Sequence, residues 1–149
     1  MLDAWIANQD RHHQNWGALR DRDAMHLAPT FDHGASLARN LSDEERKERL
    51  TTRDAARRID RFARRARSAF YADATADKPM TTVQTWQTLS CYSSRASTLW
   101  VDQLRLIDED TVRKLLAEVP PNRLSSIGRD FTLQLLLENR KRILDGDDS

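Results

Sequence analysis

The chain has 149 residues, of which 32% are charged and 39% hydrophobic, and its 24 basic and 23 acidic side chains leave a net charge of +1. That balance excludes a global pull toward nucleic acid or a membrane surface, and four tryptophans argue against wholesale disorder. A single cysteine, Cys91, excludes an intramolecular disulfide and fits a reducing cytoplasm, while no segment approaches the ~20 apolar residues of a membrane helix.

The expected organisation is one domain over 1–149, loop-rich over 1–40 and helical over 41–145. Residues 2–7, LDAWIA, read as the end of a helix with Trp5 and Ile6 facing a core. The polar, His-rich stretch Asn8 to Asn15 reads as a loop. WGAL and MHLAP, separated by RDRDA, predict a β-hairpin that Pro29 terminates. TFDHG then predicts a turn at Gly34. Ser42 and Glu45 form an S-x-x-E capping box. Thr52 is a second candidate N-cap, followed by Ala55, Ile59, Phe62, Ala66 and Phe70 at helical spacing.

Helical spacing continues with Val83, Trp86 and Leu89, then with Leu99, Trp100, Leu104 and Ile107, and both tryptophans are expected in the core. Asp108 should cap a helix carrying Val112, Leu115, Leu116 and Val119. PPN at 120–122 breaks the chain, and a last helix carries Phe131, Leu135, Leu136, Ile143 and Leu144, with Arg140, Lys141 and Arg142 in its last turns and Gly146 as its stop. ADATADKPM and the tail DGDDS read as mobile, the former as an internal linker.

The loop-rich part holds the chemistry. Phosphoryl transfer needs a carboxylate to orient the attacking hydroxyl, and an amide oxygen with a second carboxylate to hold Mg²⁺. Kinase catalytic loops place the Asn five residues after the base Asp, the spacing of Asp10 and Asn15 here. Asp32 follows the hairpin, with Gly34 two residues on. The rival reading of His12, His13 and His26 as zinc ligands lacks both a nearby Cys and regular helical spacing. His13 reads as an exposed loop residue and His26 as a solvent-facing strand position. The arginines of 53–67 could track nucleic-acid phosphates. Asp54, Asp60 and neighbouring glutamates offset them, so a solvated helix face is the expectation and direct nucleic-acid binding is not.

The order Asp-Arg-His-x-x-Asn, hairpin, APTFDHGASL resembles the large, C-terminal lobe of HipA-like kinases, and the loop is also similar to phosphatidylinositol kinases. VPPNRLSS and FTLQLLLENRKRIL resemble, in texture, the helical end of HipA-like C-terminal domains. The resemblance implies a mainly α fold with an N-terminal hairpin and an ATP-dependent phosphotransferase of the serine/threonine protein kinase type. It makes Asp10 the catalytic aspartate, places His12 where it braces Asp10 or stabilises phosphates, and makes Asn15 and Asp32 the Mg²⁺ ligands. It also implies a protein substrate and, through the family's toxin–antitoxin setting, an antitoxin-like partner. His33 departs from the Phe of many kinase D-F-G turns.

The four glycines form no G-x-G-x-x-G, and all four lysines lie after the catalytic loop. The nucleotide lobe is therefore expected outside these residues, the chain being a truncated frame, half of a split kinase or a remnant, and inactive alone. Two rivals stand beside this reading: a non-catalytic interaction module derived from a kinase lobe, and a nucleic-acid-binding helical domain.

Overall fold

A computed structural model of the chain describes residues 1–146; the last three residues of the tail lie outside the described residues. Helix α1 spans Leu2–Trp5, and a two-stranded antiparallel hairpin follows, β1 Ala18–Asp21 and β2 Ala24–Leu27, with Ala18 opposite Leu27. Six further helices are α2 Asp43–Thr51, α3 Ile59–Ala63, α4 Thr82–Ser90, α5 Ser94–Leu106, α6 Glu109–Ala117 and α7 Ser126–Asp145. The chain is thus mainly helical with a small N-terminal hairpin, as its sequence pattern predicts. No helix among the described residues is long and apolar enough to cross a membrane.

The end signals explain the boundaries. Ser42 accepts from the Glu45 N–H while Glu45 accepts from the Ser42 N–H, closing the expected capping box on α2. Thr81 and Gln84 close a second one on α4. Asp108 caps α6 by accepting from the Thr111 N–H, and the Thr111 hydroxyl, with that N–H second, holds its carboxyl below the usual range. Gly146 ends α7 in the left-handed conformation, φ 69°.

Helix α7 is the axis on which α1 to α6 pack. Its buried side chains, including Phe131, Leu133, Leu135, Leu136 and Ile143, point in several directions, which is the pattern of an enclosed helix. They divide among three apolar clusters. Phe131 and Leu135 meet Ala63 and Ala66, Ile143 meets Val83 and Leu104, and Leu133 and Leu136 meet Val112. Arg129 donates to the Leu116 and Val119 carbonyls at the end of α6, and Arg140 donates to the Leu104 and Arg105 carbonyls at the end of α5. Cations thus sit on the negative poles of two neighbouring helices. The sequence suggests instead that Arg140 and Arg142 serve the end of their own helix. Arg142 is in fact buried, donating to the Asn139 side chain at 3.0 Å.

Several expectations fail for identifiable reasons. The basic segment 53–67 is not one helix; only Ile59–Ala63 is helical. Thr52 ends α2 rather than starting a helix. Its hydroxyl accepts from the Asp54 N–H, and the Asp54 carboxylate accepts from the Ala56 N–H, so local side-chain bonds replace the helical ladder. Of the expected apolar stripe Ala66 is buried, Ile59, Phe62 and Phe70 are half-buried and Ala55 is exposed. Of the arginines opposite, Arg57 and Arg61 are exposed and Arg64 is half-buried. Trp100 is 52% exposed and Leu99 56%, because α5 reaches the core mainly through Leu104 near its end. Leu89 and Leu115 are exposed too. The supposed linker before Met80 is a closed loop. The Ser68 N–H donates to the Met80 carbonyl, the Met80 N–H donates to the Phe70 carbonyl, and Arg67 bridges to Thr81.

The packing yields a contrast. Phe131→Ala should lower unfolding free energy by about 3–5 kcal/mol through lost burial and a cavity. Trp100→Ala should cost under about 1 kcal/mol. Urea midpoints measure both, and equal losses would contradict this placement of the core.

Candidate functional site

Two chain segments run side by side to build the site. After α1 the backbone turns left-handed at Ala7, φ 52°. The Leu37 N–H donates to the Ile6 carbonyl at 2.9 Å, and the Gln9 N–H donates to the Ala35 carbonyl at 3.3 Å. These bonds bring the turn before residue 35 against the loop after residue 9. Asn8, fully buried, ties the start of that loop down. Its amide donates to Asp3 at 2.8 Å, and its oxygen accepts from the Asp10 N–H at 3.2 Å.

Arg11 occupies the centre of this junction and is 8% exposed. Its Nε and Nη2 donate to the two Asp3 oxygens at 2.9 and 2.8 Å, a bidentate pair. Its Nη1 donates both to the Asn15 carbonyl and, at 2.9 Å, to the Phe31 carbonyl. Its Nη2 also lies 3.1 Å from His33 Nδ1. Burial pushes the Asp3 carboxyl up, but hydrogen bonds from Arg11 and Asn8 outweigh this and hold it below its ordinary value. The Asp3 bond likewise strengthens the charge on Arg11, with Asp32 and Asp10 adding to it at longer range.

Around this hub the residues singled out by sequence fall as follows. Asp10 is exposed, with its side chain 54% accessible, and His12 Nε2 lies 3.6 Å from its carboxylate. The Gln14 N–H donates to His12 Nδ1 at 3.2 Å, so in the neutral ring the proton sits on Nε2, facing Asp10. Asn15 is buried and its Nδ2 donates to the Asp10 carbonyl at 2.7 Å. Nδ2 also lies 3.4 Å from His12 Nε2, but in this tautomer both atoms carry hydrogen and the contact is no hydrogen bond. Asp32 is exposed and left-handed, φ 52°. Within the expected turn it is Asp32, not Gly34, that takes the left-handed position, which Asp tolerates better than most side chains. Ser36 secures the turn by donating its hydroxyl to the His33 carbonyl at 2.7 Å. His13 and His26 are both exposed, as expected.

Asp10, His12 and Asn15 are therefore brought together within one loop. Arg11 joins the two segments through their backbones, its Nη1 donating both to the Asn15 carbonyl and to the Phe31 carbonyl just before Asp32. Asp3, Asn8 and the role of Arg11 escape a reading by spacing. Asp3 lies on a helix and Arg11 in a loop eight residues away, and no periodicity connects them.

The donor set has a defined character. Among the described residues no three His, Cys, Asp or Glu side chains converge. The residues singled out carry hard oxygen donors, the Asp32 carboxylate and the Asn15 amide oxygen, the latter on the side chain whose Nδ2 bonds the Asp10 carbonyl. One carboxylate and one amide oxygen fit Mg²⁺, which keeps several waters and rarely takes a full protein cage. They do not fit a closed zinc site. A cleft of about 360 Å³ adjoins the site, with Asp3, Arg11 and Asn15 in one wall and Trp16, Phe70 and Trp86 further along. Asp10, His12 and Asp32 lie outside its lining.

Comparisons with known protein families, characterised proteins and solved structures return no match.

The Asp3–Arg11 pair has a pH signature. A carboxyl lowered by folding stabilises fully above its unfolded value of about 3.9, and the contribution is lost as pH falls through the folded value. Acid unfolding below about pH 4 should therefore be steeper in the natural chain than in Asp3→Asn. At pH 7 that variant should be less stable by about 2 kcal/mol, discounted from a fully buried pair because the Asp3 side chain is 31% exposed. Parallel acid limbs in circular-dichroism titrations would disprove the assignment.

Proposed function

We propose that this chain is the base- and metal-bearing portion of a HipA-like, ATP-dependent phosphotransferase that acts on a protein hydroxyl. The observation that supports this most is the knot of Asp10, His12 and Asn15. The Asn15 amide spends its donor side on the Asp10 backbone, while the Asp10 carboxylate stays open to solvent beside the His12 ring. An exposed carboxylate at a loop surface can meet a hydroxyl carried by a macromolecule. A base must come within about 2.6–3.2 Å of the proton it takes.

In this reading Asp10 accepts and orients the attacking hydroxyl, and His12 Nε2–H braces the carboxylate. Asn15 and Asp32 would hold Mg²⁺, which when bound with ATP would neutralise charge on the phosphates. Neither the adenine nor the phosphate tail is gripped by a glycine-rich loop of this chain, so a nucleotide-binding lobe has to come from outside these residues. An antitoxin-like protein remains the expected regulatory partner under the same resemblance.

A second reading, an interaction module derived from a kinase lobe, draws on the exposed apolar side chains Trp16, Leu19, Met25, Leu27 and Phe31 on and beside the hairpin. One experiment separates the two. With labelled ATP and Mg²⁺ the chain alone should transfer no measurable phosphate. A matching nucleotide-binding lobe, fused upstream or added separately, should restore transfer, and Asp10→Ala or Asp32→Ala should abolish it. Positioning of this kind accounts for about 7–11 kcal/mol of a barrier, enough for an all-or-none readout. Activity that survives Asp10→Ala would show that the base is misassigned. A lobe that binds without restoring transfer would favour the interaction module.

A further inference from the structure

The feature that the proposed chemistry does not explain is a buried cation placed directly behind a cation seat. Arg11 carries a permanent charge, and both Asp10 and Asp32 lie within its electrostatic reach. By charge alone it should weaken any metal bound by Asp32 and Asn15. Its hydrogen bonds point to a compensating role. One nitrogen, Nη1, donates to the carbonyl of Asn15 and to that of Phe31, the residue before Asp32. The other end of the fork is pinned to both oxygens of Asp3 on α1. Asp3 also takes up the guanidinium charge, so the cost to a neighbouring cation is reduced.

We infer that Arg11 is a positioning residue that sets the separation of the two proposed metal donors, Asn15 and Asp32, using α1 as its fixed reference. This rests on the reading of those two residues as a cation seat. It adds that their register is held by geometry rather than by charge. A lysine would keep the charge, but its ammonium lacks the planar fork that reaches both carbonyls while gripping a carboxylate bidentately. Asp32 takes its left-handed backbone directly after the Phe31 carbonyl that Arg11 holds, and a non-glycine residue in that region persists where its surroundings support it.

Mn²⁺ is the probe, read by paramagnetic broadening in proton–nitrogen spectra of the whole chain. In the natural chain, broadening should appear together at the Asn15 side-chain amide and at the backbone amides of Asp32 to Gly34, along a single saturation curve. Arg11→Gln and Arg11→Lys should each weaken that curve at least about ten-fold, as outer-shell partners of metal sites commonly do. Asp3→Asn, which keeps Arg11 but frees its anchor, should fall between. Unchanged Trp5 and Phe131 resonances show that the fold persists. If Arg11→Gln does not fold, Arg11→Lys and Asp3→Asn decide.

Equal or tighter Mn²⁺ binding in a folded Arg11 variant would overturn the inference, because charge alone would then govern the seat. Full rescue by Arg11→Lys would do the same. Failure of the natural chain to show paired broadening would overturn the cation seat itself and this inference with it. Loss confined to the variants upholds both.

Discussion

Burying a guanidinium is the constraint around which the N-terminal part is built. An ionised group taken from water costs several kcal/mol unless it is paired and its hydrogens find acceptors. Arg11 meets that demand with acceptors from three places: the Asp3 carboxylate on α1, the Asn15 carbonyl in the loop, and the Phe31 carbonyl before Asp32. Satisfying one side chain therefore forces a helix, a loop and a turn into a fixed mutual arrangement. Asn8 reinforces it from within the same loop by binding Asp3 and the Asp10 backbone.

The arrangement is carried to the core by α1 and α7. The Trp5 indole donates to the Leu136 carbonyl at 3.1 Å, and the Asn139 amide donates to the Trp5 carbonyl at 3.0 Å. These two bonds lock the end of α1 to the middle of the axial helix. Asp3 is on the same short helix, so the reference point for Arg11 is fixed to the most enclosed element of the fold. A four-residue helix would not persist alone, since isolated helices far longer than this are marginal in water. Its order comes from α7.

What could be read from sequence divides along physical lines. The cap at Asp108, the box at Ser42 and Glu45 and the stop at Gly146 were legible because each is a local bond between near neighbours. The hairpin was legible because its strands pair across a short turn. Periodicity failed where local bonds compete with the helix, as at Thr52 and Asp54. It failed again where an apolar face has no partner, as at Trp100 and Leu99, because a stripe shows which residues share a face and not what covers it. The residues of the candidate site were named by spacing within one loop and one turn. The bond that joins them was hidden, since Asp3 and Phe31 lie on opposite sides of Arg11 with no pattern connecting them.

Accessibility across the site follows the same division. Groups that set geometry, Asn8, Arg11 and Asn15, are buried. Groups able to meet a hydroxyl or a cation, Asp10 and Asp32, are exposed and held through their backbones rather than by side-chain ion pairs with Arg11. An exposed carboxylate fixed by its own side chain would have its oxygens already committed. One fixed through the main chain keeps them for an incoming partner. The hairpin shows the opposite balance. Every residue of both strands is exposed, and a lone two-stranded ribbon is marginal in water. The hairpin thus adds little apolar burial to the folded core, and the order of the N-terminal part rests on the Arg11 junction and on α7.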